Sequence, residues 1–213
     1  FQTYHLALGV PYSESVVLRN AIDPIPEHKK EKSDTFNLIY HTTPHRGLEV
    51  LVPVIDFLVN KGKKIHLDVY SSFKMYGWEN RDEPYQKVFE KIKAHTNMTY
   101  HGYQPNDVIR KALKKAHMFA YPNIWPETSC IAMIEAMSAG CTVIHPNYCA
   151  LSETGSNFGV QYGWEEEPNK HANKFCQILD AVIDDYWSKA HQQKLSVQKK
   201  YIDSFLINSF FFF

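Results

Sequence analysis

Apolar positions along the chain switch repeatedly between a period of two and a period near 3.6. Ser15 to Arg19 and Phe36 to His41 are short apolar runs that predict strands, and Ile65-His66-Leu67-Asp68-Val69-Tyr70 alternates as a half-buried strand does. Between the last two, Leu48, Leu51, Val52, Ile55, Leu58 and Val59 recur at helical spacing, and Gly62 follows as a stop signal. Pro53 falls inside that helix, where its missing N–H predicts a kink or an irregular first turn. A helix over about residues 83–95 leads to a strand at Met98 to His101, and a helix from Pro105 to Lys115 leads to a strand at Met118 to Tyr121. A last repeat of the pattern runs from a helix at Ser129 to Ala139, with Gly140 as a left-handed cap, into a strand at Thr142 to His145.

Strands and helices alternating in this way imply an α/β fold: a doubly wound, Rossmann-like parallel sheet with helices on both faces. Ligands of such sheets sit beyond the carboxyl ends of the strands, where the strand order reverses. The loops that follow strands, at 41–47, 71–77, 102–105, 122–129 and 146–152, are therefore where chemistry is expected. After Pro168 the chain turns helical, with Phe175, Ile178, Leu179, Val182, Ile183 and Tyr186 on one face.

Composition narrows the partners. The 213 residues carry 23 basic and 23 acidic side chains, so no global field attracts nucleic acid or an anionic membrane. Cys130, Cys141, Cys149 and Cys176 show neither metal-ligand nor disulfide-scaffold spacing, which fits reduced thiols in a cytoplasmic protein. No apolar stretch approaches the length of a transmembrane segment. The first residue is Phe, and the chain closes on Ser209-Phe210-Phe211-Phe212-Phe213, an aperiodic end expected of a processed or truncated fragment. Asn97-Met98-Thr99 is a formal glycosylation sequon, without consequence in the cytoplasm.

The chemistry concentrates between Tyr121 and Gly140. Glu127 lies in a polar loop after a strand, and Thr128, Ser129 and Cys130 follow it into a helix start, where unpaired N–H groups and the positive dipole end attract a diphosphate. A first-turn acid stabilising the helix is the alternative role for Glu127. Glu135 falls among Ile131, Ala132, Ile134 and Met137, where a carboxylate is costly unless it is paired or hydrogen-bonded. Two glutamates separated by seven residues, with Asn123, Pro126 and Gly140 in register, resemble the signature of family 4 retaining glycosyltransferases. In that family the signature lies in the C-terminal, donor-binding domain of a GT-B fold. The similarity continues through Thr142 to Pro146 and Leu151-Ser152-Glu153.

The resemblance implies roles for named residues. Glu127 would contact donor-sugar hydroxyls, the amides of Thr128, Ser129 and Cys130 would hold sugar and phosphate oxygens, and Glu135 would accept hydrogen bonds from the ribose. In Thr42-Thr43-Pro44-His45-Arg46-Gly47, Arg46-Gly47 matches the family's second basic pair, so Arg46 would neutralise the diphosphate with its forked donors. The family's first basic residue has no counterpart here; His41, Thr42 and Thr43 stand near its place. Gly102 and Tyr103 correspond to the base-contacting loop, and Asn20-Ala21-Ile22-Asp23 resembles the turn that enters the domain. His41 and His45 have the spacing of a metal pair, but Pro44 between them opposes a helical site.

The function so implied is transfer of a glycosyl group, with retention, from a nucleotide-diphosphate sugar, with Glu127 and Arg46 catalytic and with no metal or other cofactor. Residues 1–19 would be the end of an interdomain linker, 20–190 the nucleotide-sugar-binding domain, and 191–213 a C-terminal helix and aromatic tail. The acceptor, a sugar, lipid or protein, would be bound by an N-terminal domain absent from this sequence. Two rivals stand beside that reading: a degenerate module that binds nucleotide or a partner without catalysis, and an epimerase of similar fold, which would need acid and base groups that this loop does not offer.

Overall fold

The computed structural model describes residues 7–14 and 20–210, so the strand expected at Ser15 to Arg19 and the last three phenylalanines lie outside the described residues. Among the described residues six strands, β1 (Phe36–Tyr40), β2 (Ile65–Val69), β3 (Met98–Tyr100), β4 (Met118–Ala120), β5 (Thr142–Pro146) and β6 (Val160–Tyr162), form one sheet. Its order is β3-β2-β1-β4-β5-β6, and every neighbouring pair is parallel. Leu38, Ile39 and Tyr40 of the central β1 are all buried, as they must be in a strand covered on both faces, whereas β2 keeps the alternation visible in its sequence. β6 was not foreseen: three residues are too few to show a period, and pairing with β5, Ile144 opposite Val160, makes them a strand.

The helices are α1 (Leu48–Asn60), α2 (Gln86–Ala94), α3 (Asn106–Lys115), α4 (Ile131–Ser138), α5 (Leu151–Gly155), α6 (Pro168–Asp185) and α7 (Lys189–Phe210). α1 packs with α2 and α6, while α4 packs with α3 and α7, giving two helical layers around the sheet. α1 runs through Pro53 unbroken. The ring is exposed, so water can bond the Glu49 carbonyl that loses its donor. The irregular turn precedes the helix instead, as a 3₁₀ turn at Pro44–Arg46. α2 begins only at Gln86, because Glu79–Tyr85, with Pro84 inside it, is a 3₁₀ segment.

α4 closes as its sequence predicts. Gly140 is left-handed at φ 68°, its N–H donates to Met137 O (3.0 Å), and Cys141 N–H donates to Ala136 O (2.9 Å), the paired bonds of a Schellman motif. α7 covers that end. Gln198 Nε2 donates to Met137 O and Cys141 O, and Lys199 Nζ donates to Ser138 O and Ile25 O. Among the described residues, no helix is long and apolar enough to cross a membrane.

Candidate functional site

The strand order reverses between β1 and β4, and the loops leaving these two strands cross there. Gly47, at φ 123°, lies against the other loop so closely that a Cβ on it would stand 2.2 Å from Pro122 O. Ile124 N–H donates across the crossing to Arg46 O (3.3 Å). The crossing delivers Arg46 to Glu127: Nη1 lies 2.5 Å from Oε1, with the carboxylate side chain only 4% exposed. Tyr121 O–H donates to the same oxygen at 2.6 Å. Burial pushes the Tyr121 phenol far up, so it remains a donor to the carboxylate. Asn123, wholly buried, turns the chain ahead of Glu127: its Nδ2 donates to Trp125 O (2.5 Å) and its Oδ1 accepts from Trp125 N–H (3.1 Å).

The start of α4 forms the next wall. Cys130, in extended conformation, precedes the first turn and contributes no capping bond from its side chain. Its thiol is pushed up to about 12 by burial, so it is neutral. Ser129, Cys130, Ile131 and Ala132 line the cleft, so the positive end of the helix opens into it. One turn further, Glu135 is held by Asn106 Nδ2 (3.0 Å) and Arg110 Nη1 (3.3 Å), which satisfy a carboxylate set among buried Met133, Ile134, Ala136 and Met137.

These walls enclose an open cleft of about 440 Å³, completed by Asn20, His41 and Thr42, by Tyr103 and Gln104 after β3, and by Met75 and Tyr76 after β2. Met75 and Tyr76 ride on a 3₁₀ turn capped by Ser72 and tied back by Asp82, which accepts from Phe73 N–H (2.8 Å). His45 stacks on Phe73 (5.0 Å) and meets Trp125 edge-on (4.5 Å), joining three of the loops. Burial lowers the pKa of His41 to about 3, and burial followed by the charges of Arg46 and Arg81 lowers that of His45 to about 4. Both are neutral near pH 7. Among the described residues lining the cleft, Arg46 is therefore the one cation.

Residues 22–200 match the family described as Glycosyl transferases group 1. The chain belongs to that family. No curated protein matches the sequence. Among solved structures, a glycosyltransferase from Rickettsia africae ESF-5 aligns over 98% of this chain and 56% of its own, at 15% identity and a TM-score of 0.71. The pneumococcal O-GlcNAc transferase GtfA, solved with UDP and GlcNAc, aligns over 89% of this chain and 38% of its own, at 10% identity and a TM-score of 0.61. TarM aligns over 93% of this chain and 38% of its own, at 17% identity and a TM-score of 0.50. The chain thus spans about half, or less, of the glycosyltransferases it resembles, and it has the Rossmann-like α/β fold found as part of GT-B enzymes.

Within this group 1 glycosyltransferase domain, Thr42, Arg46, Tyr103, Ser129, Cys130 and Glu135 line the cleft. The other expected site residues do not. Thr43 is fully buried, with its carbonyl accepting from Tyr40 O–H (3.0 Å). Gly47 is occupied by the loop crossing, Asn123 by its turn, and the Glu127 carboxylate stands behind Arg46. Thr128 is exposed but off the cleft, and α4 starts two residues later than its sequence predicts. Gly102 takes a left-handed turn at φ 64° that sets Tyr103 and Gln104 on the rim. Sequence reasoning missed Asn106 and Arg110. Their i, i+4 spacing on α3 put them on one face, but nothing local says that this face meets α4.

Proposed function

We propose that this chain is the donor-binding domain of a retaining glycosyltransferase, taking a nucleotide-diphosphate sugar and passing its glycosyl group to an acceptor. One observation carries the reading. At the sheet's switch point two carboxylates, Glu127 and Glu135, each have Oε1 fixed by protein donors, with Arg46 and the α4 N-terminus between the loops that hold them. The second oxygen of Glu135, which lines the cleft, is then an acceptor for ribose hydroxyls, while Glu127 holds the Arg46 guanidinium in place from outside the cleft lining. The diphosphate would lie on the Arg46 guanidinium and the first amides of α4, both of which favour negative charge.

The chemistry consistent with this arrangement is front-face displacement. As the bond from the anomeric carbon to the diphosphate oxygen breaks, charge grows on the leaving group, which takes the acceptor's proton. Arg46 and the helix amides stabilise that charge where it develops. Two carboxylates serving as acid and nucleophile, as in retaining hydrolases, are not what this geometry offers, since Glu127 is committed to Arg46 and Tyr121.

The test is a thermal-shift panel of UDP, GDP, ADP and their sugar conjugates, beginning with UDP because the pneumococcal relative was solved with it. A ligand at about 100 times its Kd adds roughly 2.7 kcal/mol to stability, enough to move the midpoint by several degrees. Stabilisation by one nucleotide class supports the donor site; no shift with any of them refutes it. Arg46, the one cation among the described residues of the cleft, is already paired with Glu127, which favours a second reading, a nucleotide-binding module without catalysis. Product analysis with donor and acceptor in the presence of the rest of the enzyme separates the two.

A further inference from the structure

We infer that Arg110 is a positioning residue that sets ribose recognition by fixing the Glu135 carboxylate to the backbone of Asp23 and Pro24. The inference rests on the nucleotide reading of the cleft. Its geometry is a strut: Arg110 Nη1 donates to Glu135 Oε1 at 3.3 Å, while Nη2 donates to Asp23 O at 2.7 Å and to Pro24 O at 3.3 Å. The planar guanidinium suits both ends at once, which a lysine ammonium on a flexible stem does not.

Both ends of the strut are themselves anchored. Glu135 is one turn into α4, whose buried residues leave the helix little freedom. At the other end, Ile25 N–H donates to Ser138 Oγ (2.9 Å) and Ile25 O accepts from Lys199 Nζ (2.6 Å), so the segment that carries Asp23 and Pro24 is pinned to the far end of the same helix. Asn106, one turn before Arg110 on α3, supplies the second donor to Glu135, and both donors bond Oε1. Neither donor bonds Oε2, which leaves that oxygen for a ligand in the cleft that Glu135 lines. Arg110 does not line the cleft, so it acts through Glu135 and not on the ligand. Removing it leaves a nearly buried carboxylate, 7% exposed, with Asn106 as its donor and free to turn away from a ribose diol.

The experiment is calorimetry of the full chain with UDP, GDP and ADP, and with the 2′-deoxy and 3′-deoxy forms of whichever binds most tightly. The wild-type protein is expected to prefer the ribonucleotide by about 10-fold or more, the worth of hydrogen bonds to a charged acceptor. Arg110→Ala should weaken ribonucleotide binding by about 10-fold and leave the deoxy forms nearly unchanged, so that the preference collapses. Arg110→Lys, which keeps the charge without the fork, should fall between, and it carries the test if the alanine variant does not fold. A general loss of structure would weaken all of these ligands together, whereas loss of positioning moves only their ratio. Retention of the wild-type preference by the Arg110 variants, with its loss in Glu135→Ala, would overturn the role of Arg110 and leave the nucleotide reading standing. A preference untouched by Glu135→Ala, or binding of none of the three diphosphates, would overturn both.

Discussion

At the scale of single residues, the Arg46–Glu127 pair makes different demands on its two partners. Removing Arg46 strands a carboxylate that is 4% exposed, while replacing Glu127 by its amide keeps an acceptor for both Arg46 and Tyr121. Arg46→Ala is therefore expected to cost about 2–4 kcal/mol, toward the low side for a buried pair because the arginine is itself 20% exposed, and to weaken UDP and UDP-sugar binding together. Glu127→Gln, which keeps an acceptor for both donors, should stay within about 1 kcal/mol of wild type in urea unfolding and weaken UDP and UDP-sugar together, by less than Arg46→Ala does. Equal loss of UDP affinity in the two variants would contradict a ligand contact made by Arg46, with Glu127 acting only through it. The sequence marked both residues as separate ligand contacts. Their pairing was illegible because it depends on two loops meeting across β1 and β4, 81 residues apart in the chain. Buried histidines add a pH dependence. His41 and His145 are held down to about 3 and 4 by burial, against 6.5 when unfolded, so the unfolded chain binds more protons below pH 6.5. Stability is then full above that pH and falls toward pH 3–4, by about 1 kcal/mol per histidine at pH 5.5. Urea midpoints at pH 7.5 and 5.5 check the sign.

At the scale of elements, most of the fold was legible because each strand and helix carries its own period, and parallel strands joined by helices leave few topologies open. What the sequence hid were features created by contact: the three-residue β6, the 3₁₀ segments beside Pro44 and Pro84, and the delayed start of α4. Gly47 shows how such contact shapes the site. Arg46-Gly47 reads in sequence as a phosphate-binding pair, yet the glycine's lack of a side chain is used against Pro122 O and not against a ligand. Gly47→Ala would place a Cβ 2.2 Å from that oxygen at φ 123°, where L-residues are strained, so the two loops must separate. The expected outcome is a loss of several kcal/mol together with loss of nucleotide binding. Gly62→Ala, also at positive φ but with open space around its Cβ, should cost only about 1–2 kcal/mol and leave binding intact. Comparable damage from both substitutions in parallel unfolding and calorimetry experiments would mean that backbone strain, and not the loop crossing, is the constraint at Gly47.

At the scale of the whole molecule, the cleft is open on the side where the strands end. Met75, Tyr76, Tyr103 and Ile131 line it and remain 44–51% exposed, an apolar rim around a site that has one cation among the described residues. Glycosyl transfer by front-face displacement needs the acceptor oxygen held against the anomeric carbon and water kept away, since water would otherwise take the acceptor's place. On the proposed reading the loops supply donor contacts, the described residues leave that side open, and the solved relatives are about twice to nearly three times as long as the part that this chain matches. Donor binding and catalysis should therefore separate. The 213-residue chain is expected to bind its nucleoside diphosphate in calorimetry while turning over the corresponding sugar nucleotide no faster than the uncatalysed reaction. Supplying the part of the solved relatives that this chain does not match, in one chain or as a second polypeptide, should allow transfer without tightening the free diphosphate by more than about 10-fold. The reason is that, on the proposed reading, the phosphate and ribose contacts come from this sheet and its loops. A chain that transfers sugar unaided would show that its open rim positions an acceptor by itself. A chain that binds no nucleoside diphosphate by itself would refute the donor site at Arg46 and the start of α4.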